Sequence, residues 1–236
     1  GFYGAPRIHQ ELKATGLKVG RHRVARLMRT AALKAKTRRG FRHCRTGGGK
    51  ASDVADNLLQ QEFNPAAPNR CWAGDITYIR TSAGWRYLAV WIDLNSRRVV
   101  GWKLDQRMDA ALVIEALSRA LGHRQVAPDQ LLIHTDQGSQ FTSEAFTSAL
   151  LAKDIRISMD GKGAWRDNVF VERLWRSVKY EEVYLRAYDS VSDARQSIGR
   201  YLDLYNRRRP HSSLDGQTPD QAYFATTNLL PIRAAA

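Results

Sequence analysis

Two acidic side chains stand where acids are costly, and a third projects from a helix. Asp75 lies inside an apolar run between Trp72 and Ile79, and Asp136 follows directly on Leu131-Leu132-Ile133-His134-Thr135. A carboxylate withdrawn from water without a partner costs several kcal/mol or loses its charge, so both positions call for a cation or hydrogen-bond donors. Glu172 is the third. It falls in a predicted helix whose core stripe is Val171, Leu174 and Val178, while Asn168, Glu172, Trp175 and Lys179 share another side. Carboxylates are hard oxygen ligands suited to Mg²⁺ or Mn²⁺. Two such ions about 3.5–4 Å apart can activate an attacking hydroxyl and stabilise a leaving oxygen in phosphodiester displacement. Residue type alone does not select these three. Asp93, Asp129, Asp154 and Asp160 compete, although turn, cap or surface roles explain them more simply.

The elements that would position these acids follow from patterning. Short aromatic and β-branched runs predict strands over 71–80, 85–94 and 97–104, joined by tight polar turns as an antiparallel meander. A helix over 110–121, capped by Asp109, then leads to a buried strand over 130–135. A helix over 143–153, a short strand over 155–158 and a helix over 168–180 capped by Asp167 come next. The closing helix, 190–206, buries Ile198, Tyr201, Leu202 and Tyr205. Three strands followed by strand–helix alternation predict an α/β fold, a mixed five-stranded sheet covered by helices. Asp136 would then occupy the carboxyl end of a strand, where ligands gather in such sheets.

Charge adds a second feature. Of 37 Lys and Arg in 236 residues, 14 fall within the first 50 positions beside the single acid Glu11. Such a polycation attracts phosphate backbone. A short helix opening at Pro6 and another over 21–30 make a helix-turn-helix-like unit, with Val24, Leu27, Met28 and Ala31 inward and Arg21, Arg23, Arg26 and Arg29 available to DNA. The glycine tract 47–49 reads as a connector, lacking the spacing of a phosphate-binding loop. The expected organisation is a basic DNA-binding segment at 1–40, a linker at 41–69, a catalytic core at 70–190, and a C-terminal helix with basic tail at 191–236. Membrane association is not expected, since no apolar run reaches about 20 residues. Cys44 and Cys71 are isolated thiols, and their spacing to His9 and His22 matches no compact zinc pattern.

Several words of the chain resemble the catalytic core of insertion-sequence transposases related to retroviral integrases. They are Trp72-Ala73-Gly74-Asp75-Ile76-Thr77-Tyr78-Ile79, His134-Thr135-Asp136-Gln137-Gly138-Ser139-Gln140-Phe141, Gly161-Lys162-Gly163, and Asp167-Asn168-Val169-Phe170-Val171-Glu172. Tyr205-Asn206 with Arg209-Pro210-His211-Ser212-Ser213-Leu214 completes the set. Sixty residues separate Asp75 from Asp136, and 35 separate Asp136 from Glu172. The opening, from Arg7-Ile8-His9 to Val24-Ala25-Arg26-Leu27-Met28, resembles the small helical region preceding the core in the class made by fusing two reading frames. Against that class the chain is expected to be N-terminally truncated.

The resemblance implies an RNase H-like fold and a DDE triad of Asp75, Asp136 and Glu172, each a metal-binding and catalytic carboxylate, with two Mg²⁺ or Mn²⁺ ions per site when DNA is bound. It implies strand cleavage by activated water, then transfer of the released 3′-OH to another phosphodiester. The partners it implies are double-stranded DNA, as element terminal repeats and as target, and a homodimer or larger synaptic assembly in a bacterial cytoplasm beside the nucleoid. Lys162, Arg166, Asn168, Lys179, Arg207 and Arg208 are further expected DNA contacts, and Gln137, Gly138 and Ser139 a supporting turn. His134 is expected to be a structural strand-end residue rather than a base, since bound metal already acidifies water. Two rivals stay open: a nuclease of the same fold that cuts without joining, and an inert DNA-binding assembly protein.

Overall fold

A computed structural model describes residues 3–35, 55–60, 62–122, 124, 130–160 and 168–227. Lys162, Arg166, Asp167, Asp129 and Cys44 lie outside the described residues. The chain divides into two compact units, Gly1–Gly47 and Gly48–Ala236.

In the first unit, α1 (Ala5–Ala14) carries proline in its first turn, and α2 is Arg21–Thr30. Gly16, at φ +85°, ends α1 in the left-handed conformation that only glycine adopts freely, and Leu17 N–H bonds back to the Leu12 carbonyl. Alanine ends α2 in the same way, with Ala32 at φ +53° and Leu33 N–H bonded to the Met28 carbonyl. Val24 is buried as expected, but Leu27 is 53% exposed and belongs to the outer surface. Two ten-residue helices have too little shared surface to cover the whole predicted stripe.

The second unit is built on a five-stranded sheet ordered β3-β2-β1-β4-β5. β1 (Cys71–Thr81), β2 (Gly84–Asp93) and β3 (Val99–Asp105) pair antiparallel, while β4 (Leu132–Thr135) and β5 (Arg156–Met159) run parallel to β1. Alternation along β1 divides its side chains between two cores. Cys71, Ala73 and Ile79 join α5 (Val169–Glu181) and α6 (Val191–Arg207) on one face. Trp72 joins α3 (Ala110–Gly122) and α4 (Glu144–Leu151) on the other.

The third strand begins two residues later than expected. Arg97 adopts φ +61° and sends its guanidinium to the carbonyls of Phe63 and Leu94 and to Asn64, so it belongs to the turn. Asp93 organises that turn, accepting from Ser96 N and Oγ and from Asn69 N at 2.7–2.8 Å. A further helix, α7 (Pro219–Thr227), stands in what the sequence suggested was tail. Its signal was present: Thr218 and Gln221 exchange side-chain and backbone hydrogen bonds in a capping box, with Pro219 as first helical residue.

Candidate active site

β1, β4 and α5 deliver the three acids. Asp75 lies on the β1 face that meets α5, because it alternates in step with Ala73 and Ile79. β4 pairs with β1 only through 71–73 and ends at Thr135, so Asp136 leaves the sheet beside the stretch of β1 that holds Asp75. On α5, Trp175 closes the arrangement: its indole N–H donates to Asp75 Oδ2 at 2.7 Å. Glu172 is one turn before Trp175, and Lys179 one turn after.

The electrostatics report the same gathering. Burial pushes the Asp75 carboxyl up to about 7, with the Asp136 charge adding to it; the bonds from Trp175 and Ile76 N–H oppose the rise and Glu172 reinforces it. Asp136 is also raised, by burial, against a 3.0 Å bond from Gly138 N–H. Burial lowers Lys179, while the Asp75 charge pulls it back up. Lys179 is half-buried beside the acids.

The turn after Asp136 is held on several sides. Gln137 Nε2 donates to the Asp160 carbonyl at 2.7 Å, and the Gly138 carbonyl accepts from Phe141 and Thr142 N–H. A Cβ on Gly138 would lie 2.9 Å from Asp136 Oδ1, so a side chain there would displace the carboxylate. Ser139 is exposed at the turn's tip. His134 is fully buried, with Nδ1 3.0 Å from Ser158 Oγ. That hydroxyl already accepts from Leu58 and Leu59 N–H, so its proton goes to His134 Nδ1, which fixes the neutral Nε2–H tautomer. The histidine is a structural link between β4, β5 and the entering chain.

Other sequence candidates fall in different places. Arg21, Arg23, Arg26 and Arg29 are all exposed on α2. Asn168 begins α5 but is only 8% exposed, and its Oδ1 is buried with no donor among the described residues. Arg207 lies 3.9 Å from Asp220, and Arg208 is open to solvent. Arg209, from the same basic exit, is instead buried against Glu181 at the end of α5. Asp93 is committed to its turn, and Asp154 precedes β5 at the end of the sheet opposite Asp136, which leaves neither as a rival acid; Glu172 itself is exposed on α5. Trp175 was placed on the correct helix side by spacing, but its bond to Asp75 depends on the packing of α5 against β1.

Among the described residues, no three His, Cys, Asp or Glu side chains are drawn together as a ready cage for a metal ion. The three carboxylates share a field without sharing a ligand. Their chemistry nonetheless fits a hard divalent cation: three oxygen donors of one sign, one of them pushed toward neutrality by the other two and by burial.

Comparison with known proteins agrees with this architecture. Residues 65–164 match an integrase core domain, residues 153–219 a second integrase core domain description, and residues 1–41 an HTH-like domain. Transposase InsF for insertion sequence IS3A from Escherichia coli K12 is 40% identical over 228 residues, covering 96% of this chain and 78% of its own. The transposase for insertion sequence element IS904 from Lactococcus lactis is 39% identical over 221 residues, covering 93% and 86%. Among solved structures, the simian T-cell lymphotropic virus intasome in complex with PP2A regulatory subunit B56 gamma superposes with a TM-score of 0.60 at 22% identity, over 80% of this chain and 64% of that one. The HTLV-2 integrase catalytic core in complex with magnesium, a dimeric form, gives 0.53 at 22% identity, over 67% and 98%. These structural likenesses establish the fold as that of retroviral integrase cores, which is RNase H-like.

Proposed function

We propose, from the premise that this chain belongs to the insertion-sequence transposases with an integrase core, that Asp75, Asp136 and Glu172 hold divalent cations against a DNA phosphodiester and so cut and rejoin strands. The observation that carries the assignment is the Trp175–Asp75 hydrogen bond, which ties the helix bearing Glu172 to the strand bearing Asp75. Mg²⁺ or Mn²⁺ bound there supplies an activated water or 3′-OH and stabilises the leaving oxygen.

The chain's own groups do the rest. Asp75 and Asp136 stand on neighbouring parallel segments and present carboxylates at the open end of the sheet, where a phosphate can approach. Lys179 places a cation on the same side of α5 as Glu172 and offsets the negative charge that a phosphate would meet. Gly138 keeps the Asp136 carboxylate oriented through its N–H. The exposed arginines of α2 bind the phosphate backbone of element ends, and Lys162, Arg166 and Arg208 are separate expected phosphate contacts of the second unit. Two ends must meet in transposition, so the working form is a homodimer or larger assembly; the HTLV-2 core is described in both a dimeric and a trimeric form.

The test combines a labelled element end, supercoiled target plasmid and Mg²⁺. Joined products are expected. Cleavage without joining would make the chain a nuclease, and binding without either an inert assembly protein. Glu172→Gln is expected to lower cleavage and joining at least 100-fold while leaving affinity for the end within about two-fold. Undiminished cleavage by that variant would remove Glu172 from the site.

A further inference from the structure

The hairpin that joins β1 to β2 carries an aromatic surface of which only Tyr87 packs against a core. β1 continues past its last pairing with β4, so from Asp75 to Arg80 it advances about 16 Å, paired only with β2. Register puts Tyr78 opposite Tyr87 and Arg80 opposite Trp85, all on the sheet face opposite Asp75. Tyr78 is 51% exposed and Trp85 52%, which is unusual for rings of this size on an ordered strand. They meet edge to face at 6.3 Å, Tyr78 meets Tyr87 at 5.3 Å, and the Arg80 guanidinium lies 5.6 Å over the Trp85 ring.

This cluster is held in place rather than left at a loose tip. Thr81 Oγ1 donates to the Gly84 carbonyl at 2.8 Å across the turn, and Ser82 Oγ donates to the Asp189 carbonyl at 2.9 Å. Arg80 is exposed, so the patch is cationic as well as aromatic, while Arg86, opposite Ile79, belongs to the other face. Asp105, beside Tyr87 on β3, is countered by Lys103 at 3.8 Å. Arginines alone would suffice to hold phosphate. Exposed, immobilised rings beside them add a platform for the π-face of a base, which a fully paired duplex does not offer along its side.

We propose that the β1–β2 hairpin stacks unpaired bases of bound DNA on Tyr78 and Trp85, on the sheet face turned away from Asp75, with Arg80 holding the adjoining phosphate. The inference rests on the transposase reading above for its ligand and on the register of β1 with β2 for its location. It makes the hairpin a reader of frayed or single-stranded DNA, distinct from the carboxylates.

The experiment measures fluorescence-anisotropy affinities of the full chain for two labelled DNAs without divalent metal: a blunt duplex end, and the same end with four unpaired nucleotides. Trp85→Ala and Tyr78→Ala are expected to weaken binding of the forked end about five-fold or more while changing the blunt end less than two-fold. Trp85→Phe is expected to retain most of the forked-end affinity, which separates stacking from loss of fold. Equal losses on both DNAs, or no loss on either, would overturn the proposal. Failure of the unsubstituted chain to bind either DNA would instead strike the transposase reading beneath it.

Discussion

Burial and two neighbouring acids push Asp75 toward its neutral form, and two N–H groups, from Trp175 and Ile76, only partly oppose that rise. Trp175→Phe keeps the ring and removes the donor. In the absence of divalent metal, above about pH 8 where the carboxylate is charged, this variant is expected to lose about 1.5–3 kcal/mol in urea unfolding, the range for a hydrogen bond to a charged group. An unchanged midpoint would mean that the indole does not hold the carboxylate. At this scale the sequence was informative about positions and silent about partners. Alternation and helical spacing put Asp75 in a strand, Asp136 at a strand end and Glu172 on a helix because those patterns are local, while choosing them over other acids came from the resemblance. The Ser158–His134 bond and the burial of Arg209 link residues far apart in the chain, and no periodicity encodes them.

The elements show a C-terminal clasp that the basic run concealed. Arg207-Arg208-Arg209 reads as one cationic exit, yet the structure divides it: Arg208 faces water, Arg207 approaches Asp220, and Arg209 closes on Glu181. Tyr201 also donates to Glu181 at 2.8 Å, so the end of α5 is fixed to α6 by a buried polar network. Asn206 completes the clasp by bonding both Val99 N–H and its carbonyl, capping the edge of β3 as a strand would. Arg209→Met leaves Glu181 buried without its guanidinium and is expected to cost about 3–5 kcal/mol in chemical denaturation. Adding Glu181→Leu is expected to recover much of that loss, and a double variant as unstable as the single one would contradict a paired-charge role. Strands were readable because β-branched runs between turns are short-range features, whereas α7 was passed over although its capping box stands in the sequence.

For the whole molecule, charge and chemistry are divided between segments. Fourteen of the 37 basic residues lie in the first 50 positions, and the carboxylates lie in the sheet unit. If α2 contacts phosphates, Arg23→Ala together with Arg26→Ala should flatten the log–log dependence of DNA affinity on salt by about 2. An identical slope would show that these arginines do not neutralise phosphates. No helix among the described residues is long and apolar enough to cross a membrane. The most direct measurement is a crystal structure of the full chain on an element end with Mn²⁺, located by its anomalous signal. Metal is expected within about 2.0–2.3 Å of oxygens from Asp75, Asp136 and Glu172. Manganese bound by other side chains, with any of these three carboxylates left outside its coordination, would contradict the assignment.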